Sequence, residues 1–123
     1  MADRKKQVRP KRGEIWLVQF DPTIGAEIKK TRPALILQND IANRYSAVTI
    51  VAAITSAIDE KLYPSEVLLQ SSEGGLQKDS AVLLNQIRTI DNKRLMKKIG
   101  SVENQTMERV NRAIEISLGL IDL

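Results

Sequence analysis

The chain has 123 residues, enough for one domain with a modest hydrophobic core. It contains neither cysteine nor histidine, which excludes disulfides, cysteine-based zinc sites and every catalytic arrangement that depends on histidine. The formal net charge is +4, but residues 1–12 hold six basic side chains against one acidic one, so the remainder sums to −1. A general basic coat is therefore excluded, whereas a local basic patch is compatible with the sequence.

The amino-terminal residues 1–11 are strongly basic and contain no apolar run. We predict a disordered, solubilising tail here, followed by one domain over residues 12–123. No segment has the pattern of a secretory signal or the length of a membrane span. The sequence therefore predicts a cytoplasmic protein without a membrane partner.

Short strands are predicted over the first two thirds of the chain. Trp16, Val18 and Phe20 alternate along the first strand, which ends at the turn signal Asp21-Pro22. Further extended segments are predicted at Pro33–Gln38, Ala47–Ile54, Glu66–Leu69, Ser80–Leu84, Gln86–Ile90 and near Ile99–Val102. The connections are predicted as a loop over 21–31, a helical turn within 39–46, a glycine-containing turn over 70–79 and a brief helix over 93–97 capped by Asp91.

The carboxy-terminal segment has a helical period. Its apolar residues recur at three- and four-residue intervals, at Met107, Val110, Ile114, Leu118 and Ile121. This spacing predicts an amphipathic helix from about residue 104 to residue 120. Together the elements predict a mainly β fold with short helices (α+β), in which a small, curved, mostly antiparallel sheet is covered by the carboxy-terminal helix.

Two predicted strand ends carry side chains suited to binding phosphate. Arg32 precedes Pro33 and a short apolar run, and Thr55 and Ser56 follow another apolar run. Proline favours extended geometry in the residue before it, so Arg32 is expected to leave its loop in a defined direction. If the two strand ends meet, a planar guanidinium and two hydroxyls would form a phosphate site.

Further short motifs follow one another along the chain. They are Arg12-Gly13-Glu14-Ile15-Trp16, Phe20-Asp21-Pro22, Gly25-Ala26-Glu27, the run from Arg32 to Asp40, Asn43-Arg44-Tyr45, Thr55, the run from Gln86 to Asp91, and the run from Ile116 to Asp122. In this order they resemble the MazF/PemK family of toxin endoribonucleases, over nearly everything from Arg12 to Leu123. The resemblance implies a small SH3-like barrel and a homodimer that cleaves single-stranded RNA without a metal or cofactor. It also implies a cognate antitoxin that holds the enzyme inactive.

The resemblance implies a role for each candidate residue. Arg32 would bind the scissile phosphate and stabilise its charge, and Thr55 would donate a hydrogen bond to the same phosphate. The substrate's 2′-hydroxyl would attack, leaving a 2′,3′-cyclic phosphate and a 5′-hydroxyl end. Glu27 is the loop carboxylate that could assist proton transfer, since histidine is absent. Further RNA contacts are predicted at Lys29, Lys30, Ser56, Gln86 and Arg88.

The loop before Arg32 departs from the family pattern. Relatives commonly have a glutamine and a glycine between the loop glutamate and the arginine, where this chain has Ile28-Lys29-Lys30-Thr31. We therefore expect a more basic loop whose backbone can adopt fewer conformations. The RNA sequence that relatives recognise does not carry over to this chain.

Two other functions remain open from the sequence. A gyrase-poisoning toxin of the CcdB type has a similar fold, but that family places a functional tryptophan at its carboxy terminus, whereas the tryptophan here is Trp16. A non-catalytic small-barrel RNA-binding module is the second alternative, and the presence of both Arg32 and Thr55 disfavours it.

Overall fold

The computed structural model describes residues 8–22, 24–27 and 30–122. Its elements are β1 (Glu14–Gln19), β2 (Thr31–Ile36), α1 (Asp40–Tyr45), β3 (Val48–Thr55), β4 (Glu66–Leu69), β5 (Ser80–Asp91), a 3-10 turn (Asn92–Arg94), β6 (Leu95–Ser101) and α2 (Asn104–Ser117). The strands form a six-stranded antiparallel sheet in the order β4-β5-β3-β2-β1-β6. This confirms the predicted fold class. No helix in the described part of the chain is long and apolar enough to cross a membrane.

Both faces of the sheet bury hydrophobic side chains, because the central strands are apolar on both sides. On one face, here called the helix face, Leu35 and Ile54 belong to a cluster that includes Met107 and Val110 of α2. On the other face, here called the opposite face, a second cluster contains the alternating residues of β1, β2 and β3, with partly buried Val8 and Trp16 packed against it. The prediction that Trp16, Val18 and Phe20 share one face is confirmed.

The two edge strands β4 and β6 do not pair with each other in the described residues, so the sheet is not closed by hydrogen bonds. Instead, the connection between β4 and β5, here called the 70–79 loop, packs against β6. A Cβ on Gly100 would lie 2.4 Å from the carbonyl oxygen of Gly74, and one on Gly75 would lie 2.5 Å from the carbonyl oxygen of Ile99. Glycine is therefore required for this backbone-to-backbone approach, which joins the two edges by packing.

Two predicted strand boundaries are wrong in an informative way. The segments predicted as Ser80–Leu84 and Gln86–Ile90 form one continuous strand, β5. Its register against β3 shifts between Ala52 and Ile54, which breaks the alternation that the sequence pattern relies on. Strand β2 begins before Pro33, so Arg32 lies inside the strand and pairs with Val18 rather than preceding it in a loop.

The helical turn predicted within 39–46 is α1, but the brief helix predicted over 93–97 is wrong. The 3-10 turn covers Asn92–Arg94, and β6 begins at Leu95, because Leu95 pairs with Val18 of β1 and packs into the cluster of the opposite face. The predicted carboxy-terminal helix ends at Ser117 instead of residue 120, because Gly119 adopts a positive φ of 74° and reverses the backbone. Asp91 caps the turn that follows β5, accepting a hydrogen bond from the Lys93 backbone N–H at 2.8 Å, as predicted.

Residues 8–11 contact the domain. Val8 packs on the opposite face, Pro10 is buried, and Arg9 donates from Nη1 to the carbonyl oxygen of Ser46 at 2.8 Å. The predicted tail boundary at residue 11 therefore falls inside a packed segment. The rest of the predicted tail, residues 1–7, lies outside the described residues.

Helix α1 is held by a buried polar network. Asn43 is buried; its amide donates to the carbonyl oxygen of Gln38 at 2.9 Å, and its Oδ1 accepts from Thr49 Oγ1 at 2.8 Å and from the Gln38 amide at 2.9 Å. Asn39 caps the helix by accepting from the Ala42 backbone N–H at 2.8 Å. These motif residues thus position the segment after β2.

Candidate functional site

Arg32 and Thr55 lie at the same end of neighbouring strands. In the β2–β3 ladder Ala34 faces Ala53 and Leu35 faces Ala52, and continuing this register sets Arg32 across from Thr55. Residues directly across an antiparallel pair project from the same face of the sheet. The guanidinium of Arg32 is exposed and Thr55 is half-buried. The register therefore brings the two strand ends next to each other, while Arg32 and Thr55 line different cavities.

The hydroxyl of Thr55 is oriented by the turn that follows β3. Its Oγ1 accepts a hydrogen bond from the backbone N–H of Ala57 at 3.1 Å. A hydroxyl has one donor and two acceptor positions, so this contact uses one lone pair and leaves the proton available for a phosphate oxygen. Ser56 is exposed and follows directly, on the other side of the strand end.

A cavity of about 540 Å³, here called the basic groove, opens beside Arg32 and Ser56. It lies between β2, β6 and the 70–79 loop, and its lining includes Lys78, Lys97 and Lys98. These three lysines belong to no recognisable motif, so the sequence does not identify them as site residues. Their convergence depends on the packing of the 70–79 loop on β6, which the sequence pattern does not show.

A second cavity, of about 230 Å³, is lined by Thr55 with Asn85 and Gln86. Asn85 and Gln86 also line a third cavity of about 310 Å³, which contains Glu27 and Arg88. The two cavities therefore adjoin along β5 and connect Glu27 with the side of Thr55. Asn85 was missed because simple alternation assigns it to the other face from Gln86, whereas the register shift in β5 brings both to these cavities.

Arg88 is half-buried, and its side chain contacts Phe20, just before the loop that carries Glu27. Its guanidinium lies 5.6 Å from the centre of the Phe20 ring, and its Nη1 donates to the Phe20 carbonyl oxygen at 3.3 Å. A cation over an aromatic ring is stabilised by the ring's negative face. Arg88 therefore presents a positioned charge in the cavity that contains Glu27.

The described segment 24–27, which carries Glu27, makes polar contacts of its own. The Glu27 carboxylate accepts a hydrogen bond from the Ile24 backbone N–H at 2.6 Å, and the Glu27 N–H donates to the Ile24 carbonyl oxygen at 3.2 Å. Lys30 has a positive φ of 66°, a conformation that costs a non-glycine residue roughly 1–2 kcal/mol. Its backbone N–H is held by Asp21 Oδ1 at 2.9 Å, while its side chain is exposed. Lys29, a predicted RNA contact, lies outside the described residues.

The pKa of Glu14 is perturbed next to the basic groove. Burial raises its pKa, but hydrogen bonds from the Trp16 indole, the Lys11 backbone N–H and Lys98 outweigh burial and hold the pKa below its ordinary value. Lys98 forms an ion pair with Glu14 at 3.1 Å. Lys98 is therefore shared between this carboxylate and the groove.

Comparison with known sequences identifies close relatives. Residues 11–118 match a family described as the PemK-like, MazF-like toxin of type II toxin–antitoxin systems. The chain is 44% identical over 112 residues to endoribonuclease EndoA of Bacillus subtilis strain 168, covering 91% of this chain and 97% of that protein. It is also 44% identical over 110 residues to endoribonuclease MazF of Staphylococcus saprophyticus, covering 89% of this chain and 92% of that protein.

Solved structures share the same fold. A crystal structure of MazF from Deinococcus radiodurans superposes with a TM-score of 0.77 at 26% identity, covering 91% of this chain and 98% of that one. A mycobacterial endoribonuclease in complex with its cognate antitoxin superposes with a TM-score of 0.76 at 24% identity, covering 93% of this chain and 99% of that one. The matches extend over nearly the whole length of both chains.

Proposed function

This chain belongs to the PemK-like, MazF-like toxin family of type II toxin–antitoxin systems, and we propose that it cleaves single-stranded RNA through the site around Arg32 and Thr55. It is an endoribonuclease toxin, and its partners are an RNA substrate and an antitoxin. The observation that supports this choice of site is the β2–β3 register, whose continuation by two residues beyond the pair Ala34–Ala53 sets Arg32 across from Thr55. We infer that it acts in the cytoplasm on messenger RNA, and that a homodimer is the active species.

The chemistry proposed for this site transfers phosphate within the RNA. The substrate 2′-oxygen forms a bond to phosphorus while the bond from phosphorus to the 5′-oxygen breaks, leaving a 2′,3′-cyclic phosphate. Arg32 holds the phosphate oxygens and stabilises the charge that develops on them. The Thr55 hydroxyl donates a hydrogen bond to an oxygen of the same phosphate. Removing one such donor typically slows a reaction by on the order of 10²–10³.

Two protons must move in this reaction. The 2′-hydroxyl loses its proton to a base, and the departing 5′-oxygen gains one from an acid. We propose Glu27 for the base, because it lines a cavity that adjoins the one beside Thr55 along β5. A guanidinium is a poor base because it has only N–H donors to offer, so we assign Arg32 proton donation to the leaving oxygen as a second role.

The remaining predicted contacts surround this centre. Gln86 and Arg88 line the cavity that contains Glu27, Ser56 lines the basic groove with Arg32, and Lys30 extends from the loop into solvent. We propose that they hold the RNA on either side of the cleaved bond, together with Lys29.

Incubation of the purified protein with a long single-stranded RNA in excess EDTA tests the function. We expect cleavage at a short recurring sequence with 5′-hydroxyl ends, and loss of cleavage in Arg32→Ala and in Thr55→Ala. Intact RNA with the wild-type protein, or a requirement for magnesium, would contradict the mechanism. Gyrase inhibition without RNA cleavage would favour the CcdB-type alternative, and binding without cleavage would favour a non-catalytic module.

A further inference from the structure

We propose that the basic groove binds the phosphodiester backbone of RNA beyond the cleaved bond. This inference rests on the proposed function, because it extends the path of the same substrate. It assigns a binding role to Lys78 and Lys97, which lie outside the family motifs.

The groove concentrates positive charge in a domain that is otherwise almost neutral. Residues 13–123 sum to −1, yet four cations and no carboxylate line this cavity within the described residues: Arg32, Lys78, Lys97 and Lys98. The neighbouring Asp79 is not part of this lining, and its Oδ1 accepts the backbone N–H of Ser71 at 2.9 Å. Clustered cations of this kind attract a polyanion at long range and release counterions when it binds.

The floor of the groove follows from strand pairing. Lys97 faces Leu17 across β6 and β1, and Leu17 faces Pro33 across β1 and β2, so the three side chains form one row on the helix face. All three line the groove. Leu17 and Pro33 are half-buried, whereas Lys97 is exposed. An apolar floor with cations at its rim suits a sugar–phosphate chain, which presents sugar carbons to the floor and phosphates to the rim.

The wall that carries Lys78 is fixed by close backbone packing. The glycines of the 70–79 loop lie directly against β6, with the carbonyl oxygen of Gly74 only 2.4 Å from the position of a Cβ on Gly100. Ser80 Oγ donates to the Lys78 carbonyl oxygen at 2.9 Å and restrains the end of the loop. The packing of the loop on β6 and the hydrogen bond from Ser80 thus fix the backbone position of Lys78 in the wall of the groove.

RNA is the occupant that the geometry favours over an acidic protein segment. Arg32 belongs both to the groove and to the strand-end pair with Thr55, so a chain whose phosphate is held by Arg32 enters the groove directly. Lys98 is already paired with Glu14, which leaves Lys78 and Lys97 as the cations whose removal is most informative.

The test measures RNA binding after the cleavage sequence has been mapped. Two RNAs carry a 2′-deoxy group at the cleaved nucleotide: the shortest fragment that is still cleaved, and a longer one with flanking nucleotides on both sides. Dissociation constants are measured over a range of salt concentrations for the wild type, Lys97→Gln and Lys78→Gln/Lys97→Gln. Lys93→Gln is the matched control, because Lys93 is an exposed lysine just after the distal end of β5.

We expect each substitution in the groove to weaken binding of the long RNA about threefold, and the pair about tenfold, as for exposed ion pairs. The dependence of log affinity on log salt should fall by about 1.4 for the pair, since a single-strand contact contributes about 0.7. Affinity for the short RNA, and the cleavage rate of the same fragment with its 2′-hydroxyl in place, should stay within twofold of wild type. Lys93→Gln should resemble the wild type with both RNAs.

Three outcomes would overturn the proposal. The long RNA could bind the double variant as tightly as the wild type, or the short RNA could lose as much affinity as the long one. Alternatively, antitoxin binding could weaken while RNA binding does not, which would assign the groove to the protein partner. In each case wild-type cleavage in EDTA would still stand, so failure of the groove is distinct from failure of the proposed function.

Discussion

Arg32 and Thr55 lie at neighbouring ends of β2 and β3, two residues beyond the pair Ala34–Ala53, and continuing that register sets them across from each other. A sheet holds such a pair more precisely than two loops would. By alternation Arg32 and Thr55 share the opposite face with Ala34 and Ala53, and Arg32 also lines the basic groove together with Pro33 and Ile54. At this end of the two strands the Thr55 hydroxyl thus lines one cavity, and the Arg32 guanidinium lines the basic groove.

The planar geometry of the Arg32 guanidinium, and not only its charge, should matter for cleavage. Arg32→Lys keeps the positive charge but replaces a planar, bidentate donor with a point charge. We expect cleavage in single-turnover reactions to slow by on the order of 10², while binding of a 2′-deoxy RNA changes by less than about threefold. Arg44→Lys, at an exposed position in α1, is the control. Wild-type rates in Arg32→Lys would show that charge alone suffices.

Removing the centre of the buried polar network should destabilise the fold without touching the site. Asn43→Ala eliminates the partner of Thr49 Oγ1 and of both the amide and the carbonyl of Gln38. Unsatisfied buried polar groups cost about 1–3 kcal/mol each, so we expect the free energy of unfolding in urea to fall by about 2–4 kcal/mol.

Exposed Asn104 at the start of α2 provides a matched Asn→Ala control for this loss, with an expected effect below about 0.5 kcal/mol. Cleavage by Asn43→Ala at low temperature, where the variant is folded, should match the wild type. Equal stability of Asn43→Ala and the wild type would show that water or repacking replaces the network.

The architecture was predictable because most strands have strong apolar patterns and α2 has a clear helical period. Arg32 and Thr55 could be selected as candidates because each lies at the end of such an apolar run, and their role as a pair stays a prediction. The continuity of β5 was not, since its register shift falls where Asn85 breaks the apolar pattern. The basic groove could not be predicted from the sequence either. Lys78 and Lys97 line one cavity only because the 70–79 loop packs on β6, and this packing requires glycines at 74, 75 and 100.

The depressed pKa of Glu14 predicts a pH-dependent contribution to stability. A carboxyl whose pKa is lowered by folding contributes stability above its unfolded pKa, and this contribution is lost as pH falls through the folded pKa. Glu14→Gln should therefore cost about 1–2 kcal/mol at pH 7 through its weakened bonds to Trp16 and Lys98, and progressively less below the ordinary value of 4.5. Urea unfolding of both proteins at several pH values measures this difference. A cost that is independent of pH would contradict the role of the charge.

Glu73 should stabilise the start of α2 from the 70–79 loop. Its Oε2 accepts the backbone N–H of Glu103 at 3.0 Å and the hydroxyl of Thr106 at 2.6 Å, while the Glu103 side chain makes no cap of its own. The carboxylate thus satisfies a free N–H and complements the positive end of the helix. Glu73→Gln keeps an acceptor and should cost about 1 kcal/mol of unfolding free energy, whereas Glu73→Ala should cost about 2 kcal/mol. Glu115→Ala, at an exposed position on the same helix, should change it by less than about 0.5 kcal/mol. If Glu73→Ala were as stable as Glu115→Ala in urea unfolding, the loop would not cap the helix.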